Sequence, residues 1–205
     1  MDPFLFKLAQ DTKGFMPDKE GLKLYEVACK IDPELPILEI GAYCGKSTVY
    51  LGAAAKTVKS LLFSLDHHRG SEENQIGWEH FDESLFDENT GKLETLFEWR
   101  KTITKADFDP YIVGLIGDSS AIGKYWNIKL AMLFIDGGHG EEPAWNDFKY
   151  FAKHLCIGGI LAIHDVFPDP KDGGRPPYEI YLHAKKSGDF IDFDSEGSLR
   201  ILKRI

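Results

Sequence analysis

Long apolar runs are missing from this chain, and so is any block of basic residues. No stretch approaches the roughly 20 consecutive apolar residues that a bilayer-spanning helix needs, so no membrane partner is expected. Lys and Arg number 24 against 33 Asp and Glu, for a formal net charge of -9. Without a basic patch, neither nucleic acid nor an anionic membrane surface is expected as a partner. Cysteine is scarce. Cys29, Cys44 and Cys156 lie far apart with no CxxC spacing, which points to reduced thiols and a cytoplasmic address. No basic segment followed by an apolar one opens the chain, so no signal peptide is expected. Repeats and low-complexity tracts are absent too. What is present, 43% apolar and 28% charged residues over a length of 205, suits one α/β domain with a substantial core.

The chain is organised around residues 36–47, PILEIGAYCGKS. Ile37, Leu38 and Ile40 read as a short buried strand opened by Pro36. Gly41 and Gly45 bracket a tight turn, and a helix rich in small residues follows from Lys46 to about Lys56. Strand, glycine turn and helix form the entry unit of a nucleotide-type site: glycines let the backbone approach a ligand, and the helix start offers unpaired N–H groups. The turn is G-x-x-x-G, not the dinucleotide fingerprint, and it is one residue short of a phosphate-binding P-loop. Glu39 inside the strand would also repel phosphate, and a carboxylate buried there needs partners.

Residues 1–16 read as an irregular lead-in. Residues 17–30, with Leu22, Tyr25 and Ala28/Cys29 at helical spacing, read as an amphipathic helix over the sheet edge, the two making a leader of 1–35. Residues 60–66 are a second strand ending in Asp66, about 20–25 residues beyond the glycine turn, where an acid can hold ribose hydroxyls or serve merely as a turn residue. Residues 67–105 are an insertion. Its first part, to residue 91, is polar and histidine-rich and reads as a substrate-side wall or a plain surface excursion; 92–103 reads as a helix. A third strand over 111–116 precedes Gly117-Asp118-Ser119, where Asp118 suits an adenine amino group, a helix cap, or both. Residues 130–135 are the strongest buried strand and end in Asp136-Gly137-Gly138-His139. A helix over 141–155 carries an apolar face of Trp145, Phe148, Phe151 and Leu155, Gly158-Gly159 ends it, and the strand 160–165 closes in His164-Asp165. A loop over 168–177, a helix over 178–186, and a hairpin across 195–198 complete the chain. Alternating strands and helices imply a mostly parallel sheet with helices on both faces.

Asp136 and Asp165 end successive strands. If those strands are neighbours, ~4.8 Å apart, the two carboxylates repel unless a cation or proton lies between them. A divalent ion answers this, Mg, Mn or another first-row metal, with His164 either a third ligand or a neutral core histidine. His139 sits where an imidazole can take a proton from a metal-held hydroxyl, or it is an exposed loop histidine.

The series ILEIGAYCGKS, LFSLD, IGDSS, FIDGGH and LAIHD resembles the class I S-adenosylmethionine-dependent O-methyltransferases. It is most similar to the metal-assisted branch with catechol O-methyltransferase and the macrolide-sugar O-methyltransferases, over about residues 20–205. The resemblance implies a Rossmann-like seven-stranded sheet with an antiparallel C-terminal strand. It implies that Glu39, Gly41, Tyr43 and Gly45 border the methionine end of the cofactor, with Ser47 and His67 also among the cofactor-binding residues. Asp66 would hold the ribose, and Asp118 with Ser119 the adenine. Asp136, counted with the cofactor site too, would join His164 and Asp165 as metal ligands, and His139 would be the base. One departure stands out: the family usually has a carboxylate where this chain has His164. The implied partner is a small hydroxyl-bearing substrate, with a homodimer as a candidate assembly. Polar insertion residues around Trp78 favour a polyhydroxylated acceptor such as a sugar. An NTPase using Gly45-Lys46-Ser47, or a binding module without catalysis, are the rival readings.

Overall fold

The computed structural model describes residues 1–205 apart from Glu79 and His139. Its start departs from the irregular lead-in expected. Pro3–Asp11 form helix α1, because the Asp2 carboxylate accepts the N–H groups of Phe4 and Leu5 and Pro3 fills a first-turn position where its missing N–H is harmless. Helix α2 (Asp18–Ala28) follows where periodicity put it and buries Gly21, Leu24, Val27 and Ala28.

Strand β1 (Ile37–Ile40) is wholly buried and passes through the glycine turn into helix α3 (Lys46–Val58). Small residues keep α3 slim, so every residue from Ser47 to Ala55 is buried. Strand β2 (Leu62–Asp66) ends in the expected acid. The insertion holds two short 3-10 turns, a small hairpin of β3 (Phe86–Asp87) and β4 (Lys92–Leu93), and helix α4 (Leu96–Lys105). The helix predicted over 92–103 thus begins only at Leu96, because Lys92 and Leu93 pair with Asp87 and Phe86 instead. Next come β5 (Ile112–Ile116), α5 (Ser119–Gly123), β6 (Leu130–Ile135) and α6 (Glu141–Phe151). After a 3-10 turn at Ala152–His154, β7 (Leu155–Ile163) runs through the glycine pair that the sequence suggested as a break. Helix α7 (Arg175–Ser187), β8 (Phe190–Glu196) and β9 (Leu199–Arg204) close the chain.

The sheet order is β5-β2-β1-β6-β7-β9-β8, parallel from β5 to β7, with β9 antiparallel to both neighbours. One face packs on α1, α2 and α3 through residues such as Leu24, Val49 and Leu51; the other packs on α6 and α7 through Phe148, Phe151 and Ile180. This is the Rossmann-like, mostly parallel seven-stranded architecture that the motifs imply. Among the described residues, no helix is long and apolar enough to cross a membrane.

The strand order reverses between β1 and β6, the place where open α/β sheets bind ligands. Register then sets the chemistry. Ile40 lies level with Leu65 and Ile135, and Ile135 with Ile163. The next residue of each strand is therefore Gly41, Asp66, Asp136 or His164, and these emerge side by side at one edge.

Candidate active site

The glycine turn is shaped by crowding. Gly41 has φ 91, and a Cβ there would lie 2.1 Å from the Asp136 carbonyl oxygen, so only glycine lets β1 and β6 run this close. Tyr43 follows with φ 48. Asp66 holds the turn from across the strand: its Oδ2 accepts the N–H groups of Ala42 at 2.9 Å and Tyr43 at 2.8 Å, and its Oδ1 accepts that of His68 at 2.7 Å. Two of the turn's N–H groups, the donors a phosphate cradle would use, are thus already spent on a carboxylate. This disfavours the NTPase reading on geometry.

Two expected cofactor residues lie beneath the site. Glu39 is 0% exposed, and its carboxylate accepts from Ser64 at 2.6 Å and from Ser47 and Thr48 at 2.7 Å. Burial pushes its pKa to about 7 against the pull of those three hydroxyls, with the Asp136 charge adding to the rise. Its partners come from α3 and β2, so it stitches the turn together from below and does not face the ligand side. Gly45, with φ 96, caps the start of α3 against Trp99 and Thr102 and likewise does not line the cavity.

Above the turn opens a cavity of about 820 Å³. Gly41, Tyr43, Ser47, Asp66, His67, Asp118, Ser119, Asp136 and Asp165 all line it. At one end, Asp118 caps α5 by accepting the Ala121 N–H at 2.7 Å, and the Ser119 hydroxyl donates to Asp147 at 2.5 Å. Asp147 also lines the cavity and was missed in the sequence. It sits on α6 in the buried series Ala144, Asp147, Phe148, Phe151 and is 3% exposed; burial raises its pKa to about 7. The available signal was an acid occupying a core position of an apolar helix face.

Asp136, His164 and Asp165 converge, each offering one ligand atom within 4.8 Å of the others. His164 Nδ1 is 2.8 Å from Asp136 Oδ1 and 3.4 Å from Asp165 Oδ2. Donors at right angles around a small divalent ion, ~2.1 Å from it, stand about 3.0 Å apart. Two carboxylate oxygens and an imidazole nitrogen at this separation fit a divalent cation. Asp165 adopts φ 53, a left-handed conformation Asp tolerates better than most residues, and turns back toward the strand ends. His164 itself is 4% exposed. Burial alone would lower its pKa; the charge of Asp136 and contacts with Asp136, Asp165 and Glu20 outweigh that and hold it well above the usual histidine value. Glu20 is the second residue the sequence did not reveal: it comes from α2, far away in the chain, and stays ionised because His164 and Ser198 offset its burial.

The insertion forms one wall, through Ser71, Glu72, Asn74, Trp78 and His80. The leader meets it over the opening. Phe15 lies 5.5 Å from the Tyr43 ring and 4.7 Å from that of His80, and the Lys13 ammonium is 2.6 Å from Asp82. Phe167 and Lys171, from the loop after β7, line the cavity too. His139, the expected base, lies outside the described residues.

Residues 38–166 match the model of a family described as Methyltransferase domain. Solved structures share the fold at low identity. The O-methyltransferase NovP superposes with TM-score 0.66 at 16% identity, covering 91% of this chain and 78% of that one. The SAH-bound methyltransferase from Podospora anserina gives TM-score 0.67 at 14% identity, with 100% and 89% covered. The O-methyltransferase TomG from Streptomyces achromogenes, involved in tomaymycin synthesis and solved with SAM, gives 0.64 at 15%, with 100% and 90% covered. With the family model spanning well over half the chain and the sheet, glycine turn and strand-end acids in place, this protein belongs to the methyltransferase-domain family.

Proposed function

We propose that this enzyme transfers the methyl group of S-adenosylmethionine to a hydroxyl oxygen of a small molecule, with a divalent cation held by Asp136, His164 and Asp165. One observation carries the reading: Asp136 and Asp165 line the same cavity as the glycine turn and Asp66, with buried His164 converging on both from beneath. The SAM-bound state of TomG and the SAH-bound state of the Podospora methyltransferase support the donor.

In this reading Gly41 and Tyr43 border the methionine end, Asp66 offers its remaining acceptor capacity to the ribose, and Asp118, Ser119 and Asp147 surround the adenine. A divalent cation held by Asp136, His164 and Asp165 would supply Lewis acidity that lowers the pKa of the acceptor hydroxyl. His139 takes that hydroxyl's proton; its place three residues beyond Asp136 supports this role. The oxygen then forms a bond to the methyl carbon as the carbon–sulfur bond breaks, leaving the neutral thioether. The leader and insertion limit water at the reacting centre.

A polyhydroxylated acceptor is the reading that suits the wall best. Trp78 offers a flat apolar face, and the Ser71 hydroxyl and Glu72 carboxylate offer hydrogen-bonding groups to the same cavity. The test is methyl transfer from isotope-labelled S-adenosylmethionine to a panel of sugars, catechols and hydroxylated acids. Product confined to sugars supports the proposal; product on catechols alone overturns the acceptor, and no cofactor binding at all overturns the reaction.

A further inference from the structure

The three-residue cation group has a buried acidic neighbour in the leader. Glu20 lies in the first turn of α2 and is 6% exposed. Its Oε2 is 2.9 Å from Nε2 of His164, the ring nitrogen facing away from Asp136 and Asp165. The approach is short but bent away from the line of a hydrogen bond, so that nitrogen has this carboxylate as an ion-pair contact only.

Glu20 is itself held in place. Its Oε1 accepts the Ser198 N–H at 3.1 Å and its Oε2 the Ser198 hydroxyl at 3.0 Å. Both belong to the β8–β9 turn, where a Cβ on Gly197 would come within 2.2 Å of Oε1. The glycine is the space into which the carboxylate fits. Burying a carboxylate is costly unless it is paired, and two donors from one turn with an imidazole from beyond another strand pair this one.

We propose that Glu20 is the positioning residue of the cation site: it fixes the His164 ring so that Nδ1, stripped of its proton, is presented between Asp136 and Asp165 while Nε2 keeps its hydrogen. Ligating histidines characteristically lean on a carboxylate through the second nitrogen, which fixes tautomer and ring orientation and raises basicity. Here that carboxylate comes from outside the catalytic sheet, so the leader helix is part of the site and not only a cover for the core. This inference rests on the cation reading above.

Mn²⁺ binding, measured by calorimetry on the whole protein without substrate, tests it. Glu20→Ala is expected to weaken Mn²⁺ affinity 10- to 100-fold. Glu20→Gln keeps an acceptor and is expected to recover much of that loss. The melting shift produced by S-adenosylmethionine should stay as in the wild type in both, which also verifies folding. ¹⁵N spectra of His164 should change tautomer balance in Glu20→Ala. Wild-type Mn²⁺ affinity in both variants overturns the inference and spares the cation reading; no Mn²⁺ binding by the wild type overturns both. If Glu20→Ala does not fold, Glu20→Gln decides: unaltered affinity with an unaltered His164 spectrum overturns the inference.

Discussion

Glu39 makes a prediction about pH that few surface acids would. In the folded chain its carboxyl keeps its proton to about 7, and Asp147 does the same. In the unfolded chain both ionise near 4. Between those values the native state binds more protons, so stability falls as pH rises from about 4 to 7 and then stops changing on their account. His164 extends the trend: held protonated well above its usual value, it contributes stability that is lost as pH climbs beyond 6.5 through the folded value. Melting temperature measured in chelator should therefore drop steadily from pH 5 to pH 8. Glu39→Gln should flatten that slope, its share being roughly 3 kcal/mol at most. An unaltered slope would mean that Glu39 is ionised at pH 5. Asp66 supports a second test. Asn in its place offers one acceptor oxygen and turns an NH₂ toward backbone donors, so Asp66→Asn should weaken S-adenosylmethionine binding by tenfold or more and destabilise the turn by ~1–3 kcal/mol. Calorimetry matching the wild type would show that the turn holds without it.

Among the elements, the turn between β1 and α3 is the least replaceable. Gly41→Ala must move either the Asp136 backbone or its own, since the clash at 2.1 Å is with a carbonyl oxygen and φ is 91. A loss of ~2 kcal/mol or more, with cofactor binding abolished, is expected by denaturant titration and calorimetry. The segment joining α1 to α2 should behave differently. Phe15 is more than half exposed and contributes little to the core, yet it stacks on Tyr43 and His80 over the cavity. Phe15→Ala should leave the melting temperature within a degree or two and raise KM; equal kinetic constants would remove the leader from ligand enclosure. These elements also mark what local sequence can and cannot report. Strands β1, β2 and β6 were legible because short, largely apolar runs ending in Gly or Asp have few other uses. Helix α1 was hidden because its signal is a two-residue cap, Asp2-Pro3, ahead of a short polar-spotted stretch. The hairpin of β3 and β4 competes with α4 for Lys92 and Leu93, and only tertiary pairing decides that. Glu20 looks like an ordinary helix acid until His164 and the β8–β9 turn close over it, and Asp147 is paired only once Ser119 of α5 reaches it.

Across the whole molecule, the ligands proposed for this chain meet at a single edge but rest on different strands. The glycine turn and Asp66 belong to β1 and β2, whereas two of the three cation donors, His164 and Asp165, follow β7, with Asp136 shared at the switch point between them. A ligand that binds only the folded state adds RT ln(1 + [L]/Kd) to stability, about 2.7 kcal/mol at a hundredfold excess over Kd. S-adenosylmethionine and Mn²⁺ should therefore each raise the melting temperature alone, and together by about the sum if their contacts are separate. Asp165→Asn tests that separation. It leaves the β1–β2 side untouched and removes a charge from the cation group, so the shift with S-adenosylmethionine should persist while the shift with Mn²⁺ collapses and chelator-sensitive turnover is lost. Were both shifts to vanish together in this variant, the edge would be one cooperative site, and the assignment of cofactor and cation to different strands would fail.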